Sequence, residues 1–170
     1  GAKKLFFTTN HDENSWNGTE YEKYGNAAKA MAVFICTWSG MPLLYSGQEA
    51  ANNKRLQFFD KDLIDWQNGF VLNSFYKQLL SLSATNAIAN GETFILPTSH
   101  NKVMAFLRRK NDEVVFVILN FSADARIQVT VEHEWLKGKF ESTFSGLKYN
   151  FSGNEKFELG VFDYLVYYKK

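Results

Sequence analysis

The segment Leu5-Phe6-Phe7-Thr8-Thr9-Asn10-His11-Asp12 places a polar trio directly after a run of apolar and β-favouring residues. Buried parallel strands have such continuous apolar runs, and their C-terminal ends carry side chains to reaction sites. An amide, an imidazole and an acid at such an end therefore indicate chemistry. Asn and Asp also form turns and caps, and the trio taken alone is more typical of those.

The chain after the trio has the pattern of a helix followed by a second strand. Residues 13–24 are polar and aromatic and are predicted to form a loop, residues 27–38 a helix, and residues 43–45 a strand. Asn26 is the predicted N-cap of the helix, and Gly40 is its predicted stop. Neither strand alternates apolar with polar residues, so each is predicted to be covered on both faces, in a parallel sheet or barrel.

Two motifs in this region resemble the last two barrel strands of the α-amylase family, family 13 of the glycoside hydrolases. Phe7-Thr8-Thr9-Asn10-His11-Asp12 resembles the Asn-His-Asp region after strand seven of that family. Gly40-Met41-Pro42-Leu43-Leu44-Tyr45-Ser46-Gly47-Gln48-Glu49 is similar to the segment that leads into strand eight and the Gly-Gln-Glu that follows. The motifs stand in the family's order, at a spacing that fits one helix. The resemblance implies an α/β barrel fragment, the last two β/α units of a TIM barrel, followed by an all-β antiparallel sandwich of Greek-key type.

A second helix and a domain boundary are predicted next. Residues 70–85 carry apolar side chains every three or four positions, which is typical of an amphipathic helix. That stripe consists of Val71, Phe75, Leu79 and Leu82. Asn90-Gly91 is a turn signal, after which the pattern changes. We therefore divide the chain into residues 1–91, the C-terminal part of the (β/α)8 catalytic barrel that the resemblance implies, and residues 92–170, the antiparallel β-sandwich domain.

The second part has the two-residue period of strands. Ile127, Val129 and Val131 alternate with polar residues, which predicts a half-buried strand. Further strands are predicted over residues 94–99, 103–109, 114–122, 139–144, 156–159 and 163–168. Several short strands at regular spacing indicate an antiparallel sandwich. Leu119-Asn120-Phe121-Ser122 also resembles a phrase common in the family's C-terminal domain.

Composition limits the classes of protein that this chain can represent. Its 170 residues, 45% of them hydrophobic, can bury a sizeable core. A whole barrel typically needs about 250 residues. Nineteen Lys and Arg against eighteen Asp and Glu leave a net charge of +1, which indicates neither a nucleic-acid-binding face nor a nucleic acid partner. No apolar run has membrane length, so no membrane partner is expected.

Three further features are predicted to be structural. The densest basic run, Arg108-Arg109-Lys110, is expected at a solvated strand end. Cys36, the only cysteine, lies inside the predicted apolar helix and is expected to be a packed thiol. His100 and His133 fall in or near turns without partners at metal spacing, so both are expected to be solvent-exposed.

Cleavage of a glycosidic bond suggests roles for the polar trio. Positive charge develops on the sugar ring in the oxocarbenium-like transition state, and a carboxylate held close to that ring gains interaction as the charge builds. Asp12 suits this role chemically, and the imidazole of His11 can bind a hydroxyl group. The resemblance implies the same assignment: Asp12 as the catalytic transition-state stabiliser and His11 as a substrate-binding residue. Asn10 is predicted to support this site.

Aromatic residues near the strand ends are candidates for sugar contact. Aromatic side chains stack on sugar rings, and Trp16, Phe58 and Trp66 all lie in segments that follow a barrel strand. Trp16 is the preferred candidate because its loop follows Asp12 directly. Phe58 is more typical of a hydrophobic plug beneath a loop.

The family's two other catalytic carboxylates do not match any residue of this chain. A retaining glycosidase needs a nucleophilic carboxylate and a proton-donating acid. The resemblance implies that both would come from segments preceding Gly1, after strands four and five. The acidic residues that match neither position are Glu13, Glu20, Glu22 and Glu49. We therefore expect a larger parent protein to act on α-glucosidic bonds and this chain alone to be inactive.

Cofactors and partners follow from the resemblance. No metal or other cofactor is assigned to the chain, although a parent could hold calcium elsewhere, and in a subset of the family the asparagine that matches Asn10 helps to bind chloride. The expected ligand is an α-glucan or maltooligosaccharide, bound through the parent. A secreted or periplasmic parent would be consistent with this, but the localisation stays open.

Two pairs of alternatives concern the chain as a module. Residues 92–170 could be a carbohydrate-binding module, which needs an exposed aromatic platform, or a structural domain that covers one side of the barrel. The first part should either pack its helices on the β-domain or form a homo-oligomer through the exposed surface of the barrel fragment. Self-association is the expected outcome, since unpaired strand edges favour it.

Overall fold

The computed structural model describes residues 2–67 and 69–170. The elements of the first part are β1 (Leu5–Phe6), a π-helix (Glu13–Asn17), α1 (Glu20–Tyr24), a 3₁₀ turn (Gly25–Ala27), α2 (Ala28–Thr37), β2 (Met41–Pro42), a second 3₁₀ turn (Gln48–Ala50), α3 (Asn73–Ser83) and α4 (Asn86–Asn90). The elements of the second part are β3 (Glu92–Leu96), β4 (Val103–Lys110), β5 (Glu113–Asn120), β6 (Ile127–Ser142), β7 (Lys148–Leu159) and β8 (Tyr164–Lys169).

β1 and β2 pair in parallel, as two neighbouring barrel strands do. Leu5 lies opposite Met41, and the Leu43 N–H donates to the Phe6 carbonyl at 2.8 Å. The second strand therefore lies two residues earlier than the predicted 43–45. Gly40 explains the shift, because a Cβ there would lie only 2.6 Å from the Lys4 carbonyl oxygen. The glycine thus permits close approach of the two strands.

The segment between the strands is more helical than predicted. Residues 13–24 form the π-helix and α1 instead of a loop. Thr19 and Glu22 build a capping box at α1, with the Glu22 N–H donating to Thr19 Oγ1 at 3.1 Å and the Thr19 N–H donating to Glu22 Oε2 at 2.7 Å. The predicted cap of α2, Asn26, was wrong, because that helix follows a 3₁₀ turn and has Ala27 in the cap position without a side-chain bond.

α3 buries a face close to the predicted one. Leu79 and Leu82 are buried as predicted, but Leu72 and Tyr76 are buried in place of Val71, which is exposed. The helix begins at Asn73, so Val71 lies in the preceding turn, outside the helical period. Cys36 of α2 is buried in the same core, and burial raises the pKa of its thiol to about 12.

The antiparallel sandwich of the second part is confirmed. Among the described residues, β3 to β8 form one six-stranded sheet in the order β3-β4-β5-β8-β6-β7. The last strand returns to lie between β5 and β6, so the order is not a simple meander. Most of each of the predicted strands 126–132 and 139–144 belongs to one long strand, β6, whose register against β7 shifts between Glu132 and Lys137. Predicted strand 156–159 is the end of the longer β7.

The sheet has two apolar faces. One face closes on itself and packs β4 and β5 against β6 and β7, around Phe116, Phe140 and Leu159. The other face packs against α2, α3 and α4, where Phe106 and Val117 lie with Leu79. The helices of the first part therefore share a core with the β-domain.

Arg108 corrects the prediction for the basic run. Its side chain is buried, donates to Thr93 Oγ1, and donates to the Ile88 carbonyl at 2.6 Å. Alternation along β4 places position 108 on the helix-facing side with Phe106, which explains the burial. Loss of water around the guanidinium lowers its pKa. Arg109 lies on the opposite face, 4.1 Å above the ring of Trp135.

Both of the remaining histidines are half-buried, not fully exposed as predicted. His100 Nδ1 accepts from the Lys102 N–H at 3.3 Å, and His133 Nδ1 accepts from the Trp135 N–H at 3.2 Å. His100 lies in a bend before β4, whereas His133 lies within β6, at the register shift between Glu132 and Lys137.

No helix in the two described ranges is both long and apolar enough to cross a membrane.

Candidate active site at the end of the first strand

Asn10, His11 and Asp12 follow β1 and begin a helical turn. His11 Nε2 lies 3.4 Å from Asp12 Oδ2, and the two side chains are 69% and 58% exposed. Asn10 Oδ1 accepts from the Glu13 N–H at 2.8 Å, and its carbonyl accepts from the Asn14 N–H at 2.9 Å. The amide thus orients the turn that carries the imidazole and the carboxylate.

The turn continues directly into the π-helix. π-helices are rare and occur frequently at functional sites. Trp16, which the π-helix carries, is 58% exposed. Its ring centroid lies 5.3 Å from that of Phe58, and the imidazole of His11 stacks on Phe58 at 6.1 Å with planes 23° apart. His11 and Trp16 are therefore brought to one aromatic cluster by a residue from the loop after β2.

Within residues 2–67 and 69–170, the ring of Trp66 makes no contact with this cluster. It pairs with Phe70, with centroids 5.4 Å apart. The sequence placed Trp66 and Trp16 in the same class of candidate. The structure gives them different ring partners: Trp16 lies against Phe58 and Phe59, and Trp66 lies against Phe70.

Hydrogen bonds hold the two loops together. The Asn14 side chain donates to the Lys54 carbonyl at 3.2 Å and accepts from the Leu56 N–H at 2.8 Å. Ser15 Oγ donates to the Leu56 carbonyl at 2.7 Å. Arg55 adds an ion pair with Glu22, its Nε lying 2.9 Å from Oε2. The loop that carries Phe58 is thus fixed against the π-helix.

A buried polar network lies behind the site. Glu20 Oε2 accepts from Thr8 Oγ1 at 2.8 Å and from Gln48 Nε2 at 2.7 Å. Gln48 Nε2 also lies 3.2 Å from the Tyr76 hydroxyl, and Gln48 Oε1 accepts from the Tyr45 N–H at 2.7 Å. Burial raises the pKa of the Glu20 carboxyl, more than these hydrogen bonds lower it. The network joins the ends of β1 and β2 to α1 and α3.

Sequence reasoning missed the structural role of Glu20. The sequence signal that could have revealed this role is the Thr-x-x-Glu capping box at residues 19–22, which predicts that a helix begins there. Glu20 then lies in the first turn of that helix, where a side chain can face inward. The other three glutamates have partners at the surface: Glu13 binds Lys23 at 3.3 Å, Glu22 binds Arg55, and Glu49 Oε2 accepts from the Gly47 N–H at 3.0 Å. In the described ranges, no group of three or more His, Cys, Asp or Glu side chains is placed to hold a metal ion.

Comparisons with known proteins bear on the family and the fold of the chain. Residues 93–166 match the sequence model of the family described as Maltogenic Amylase, C-terminal domain. The α-amylase MalA of Haloarcula japonica is 29% identical over 132 residues, which are 72% of this chain and 19% of that protein.

Solved structures share the fold across nearly the whole chain. The maltogenic α-amylase AmyB of Thermotoga neapolitana has a TM-score of 0.76 at 19% identity, over 99% of this chain and 41% of that one. AmyP, solved in complex with maltose, has a TM-score of 0.72 at 17% identity, over 98% of this chain and 41% of that one. The chain thus spans about a fifth of the curated relative and about two fifths of these structures.

Proposed function

Because the chain belongs to the α-amylase family of glycoside hydrolases, we propose that it serves as the C-terminal part of an enzyme that hydrolyses α-glucosidic bonds. The observation that carries the proposal is the exposed pair of His11 and Asp12, 3.4 Å apart at the end of a strand in parallel pairing. In parallel barrels, this end of the strands carries the catalytic residues.

The residues of the site take the following roles in the proposal. The Asp12 carboxylate stabilises the positive charge that develops on the sugar ring. His11 binds a hydroxyl group of the same ring. Asn10 orients both through its bond to the Glu13 N–H. The exposed ring of Trp16 stacks on the sugar.

Residues 92–170 have a structural role in the proposal. Their helix-facing side shares an apolar core with α2, α3 and α4, as expected of a domain that supports the barrel. A carbohydrate-binding platform is less well supported there, because Trp135 is packed beneath Arg109 and against Phe94, with ring centroids 4.5 Å apart. We place the boundary between the two parts at residues 91 and 92.

A binding experiment tests the site. Maltotriose added to the isotope-labelled chain is expected to shift the NMR signals of the His11 ring. Asp12→Asn should weaken this binding about tenfold, since a hydrogen bond to a charged group is lost. The matched control is Asp112→Asn, which changes an exposed carboxylate in the turn after β4. Signals of His11 that do not respond to any maltooligosaccharide would refute the proposed site.

The chain alone is proposed to be inactive. A retaining mechanism needs two further carboxyl groups, and the glutamates near Asp12 are engaged by Lys23, Arg55, Gln48 and the Gly47 N–H. Incubation with maltooligosaccharides should release no reducing sugar. Reproducible turnover that Asp12→Asn abolishes would contradict this expectation.

A further inference from the structure

The ends of the two parallel strands are joined by side chains. In the described residues, the backbone pairing of β1 and β2 ends with the bond from the Leu43 N–H to the Phe6 carbonyl, at 2.8 Å. Beyond this bond, Thr8 Oγ1 accepts from Gln48 Nε2 at 2.9 Å. Thr8 is buried and lies two residues before the polar trio. A buried side-chain contact therefore replaces the backbone pairing just before the site begins.

Glu20 supplies the acceptor that both of these side chains use. Thr8 has one hydroxyl proton, which it donates to Glu20 Oε2 at 2.8 Å. The Tyr45 N–H donates to Gln48 Oε1 at 2.7 Å and so fixes which way the amide points. Gln48 Nε2 consequently faces Glu20 and donates to Oε2 at 2.7 Å. Two buried donors converge on one carboxyl oxygen, and leaving them without it would be costly where water is scarce.

The helix α1 holds Glu20 in place. Glu20 is buried in the first turn of this helix, directly after the cap residue Thr19. The hydroxyl group of Thr19 accepts from the Glu22 N–H and also donates to Asn53 Oδ1, at 2.9 Å. The helix is thereby fixed at its first residue. The carboxyl group of Glu20 has a set position, against which the end of β1 is aligned.

The same network reaches the core that the two parts share. The hydroxyl group of Tyr76, on α3, lies 3.2 Å from Gln48 Nε2, and its side chain is buried. The ring of Tyr76 lies against Phe75, with centroids 5.2 Å apart. Phe75 in turn stacks on Phe144 of the β-domain at 5.6 Å. The network is therefore tied to the packed core and not only to surface loops.

We propose that Glu20 is a positioning residue of the proposed active site: through its hydrogen bond with Thr8, it sets the direction in which the end of β1 presents His11 and Asp12. The inference rests on the proposed function. The role requires an acceptor oxygen and not a negative charge, because the two groups that converge on it are neutral donors. Groups that orient reacting side chains commonly lie behind them, and a misplacement of about 1 Å can cost a rate about 100-fold.

The test is an NMR comparison of variants of the whole chain, which contains three histidines. Thr8→Val keeps the shape of the side chain but removes the hydroxyl group, and Glu20→Ala removes the acceptor. Each should shift the ring signals of His11 in the free chain, while those of His100 and His133, in the β-domain, stay in place. Glu20→Gln keeps an acceptor oxygen and should restore the wild-type signals. If Glu20→Ala does not fold, Thr8→Ser, which keeps the hydroxyl group, is compared with Thr8→Val instead.

Binding of maltohexaose gives a second readout. Thr8→Val and Glu20→Ala should each weaken binding about tenfold, as the loss of one oriented hydrogen bond to the ligand predicts. The double variant should bind no more weakly than either single variant, because both changes break the same contact. The matched control is Thr37→Val, which removes a buried hydroxyl group that donates to the Val33 carbonyl within α2, at 2.7 Å. It should change neither readout.

The outcomes separate this inference from the proposed function. If the variants shift the His11 signals of the free chain but maltohexaose never affects His11 in the wild type, Glu20 positions the pair and the proposed function fails. If the wild type binds, but Thr8→Val and Glu20→Ala only lower stability to urea, with unchanged His11 signals and affinity, the inference is overturned and the proposed function stands. Glu20→Gln that behaves like Glu20→Ala, or additive effects in the double variant, would also overturn the inference.

Discussion

At the scale of single residues, Glu20 shows how a buried carboxyl group can organise a site that it does not enter. It binds Thr8, two residues before the trio, and Gln48, at the end of the second motif. Loss of hydration favours its neutral form, which is the larger effect on its pKa. Its environment therefore makes the stability of this region dependent on pH.

The pH dependence can be predicted with its sign. A carboxyl group whose pKa is raised in the folded state stabilises that state most below its ordinary pKa of 4.5. This contribution to the free energy of unfolding is lost as the pH rises from 4.5 through the raised pKa. The side chain of the Glu20→Gln variant does not ionise, so its free energy of unfolding should not fall in this way. The variant should therefore become more stable relative to the wild type as the pH rises over this range. Urea unfolding at a series of pH values measures it.

The control for this prediction is Glu134→Gln, which changes an exposed carboxyl group on β6. It should follow the wild-type curve. Equal pH dependence of the Glu20→Gln variant and the wild type would show that Glu20 does not titrate in the predicted way.

At the same scale, the side chain of Asn120 closes the turn that follows β5. Its amide donates to the carbonyls of Asp124 and Gly160, at 3.0 and 2.7 Å. Its Oδ1 accepts from the Ser122 N–H at 2.9 Å. Phe121, the next residue, reaches the first part, with its ring centroid 6.4 Å from that of Phe34. The segment Leu119-Asn120-Phe121-Ser122 therefore both closes a turn and contacts the first part of the chain.

At the scale of elements, the loop after β2 depends on the π-helix for its position. Three hydrogen bonds from Asn14 and Ser15 hold residues 54–56, and they join backbone groups that otherwise face water. Few apolar contacts of this loop are buried, since Phe59 and Leu63 are both exposed. Its order rests on polar contacts.

Asn14→Ala should release this loop. The variant loses two hydrogen bonds of a buried side chain, with an expected cost of about 2 to 3 kcal/mol. Amide hydrogen exchange should increase over residues 52–63, while the sandwich strands keep their protection. Asn17→Ala is the matched control, because Asn17 is exposed and makes one bond, to Glu13. If amide exchange over residues 52–63 is unchanged in the Asn14→Ala variant, Asn14 does not hold this loop in place.

At the scale of the whole molecule, the two parts share an apolar core and should unfold together. Phe106 of β4 is fully buried and contacts the ring of Trp38, at a centroid distance of 5.1 Å. Leu79 of α3 belongs to the same core. The helices of the first part pack on the β-domain, which was the less favoured of the two alternatives that the sequence left open. Self-association through the barrel surface stays a prediction, which light scattering over a range of concentrations would test.

Phe106→Ala should destabilise both parts at once. Removing a buried phenylalanine costs about 3 to 5 kcal/mol, because a cavity remains. Circular dichroism at helix and aromatic wavelengths should give coincident unfolding curves, shifted to lower temperature. Ile95→Ala, at an exposed strand position, should shift the curve little. Separate transitions for helix and sheet would show that the two parts fold independently.

Local patterns in the sequence were sufficient to predict most strands and the order of the elements. The apolar run before Asn10 and the change to a two-residue period after residue 92 gave the strands, and the two motifs gave the order of the barrel elements. Turn and cap signals were less informative, since Asn26 does not cap α2 and the Thr-x-x-Glu capping box at residues 19–22 begins a helix in a segment predicted to be a loop.

Only the tertiary structure decided which distant residues meet. Gln48 binds Glu20 from 28 positions away, and Asn14 binds Leu56 from 42 positions away. Arg108 is buried because the helices cover its side of β4. Phe59 lies beside Trp16 because hydrogen bonds hold the loop that carries Phe59 against the π-helix. Periodicity in the sequence predicts which face of a helix or strand is apolar. It does not predict which other element covers that face, because distant residues interact only once the chain is folded.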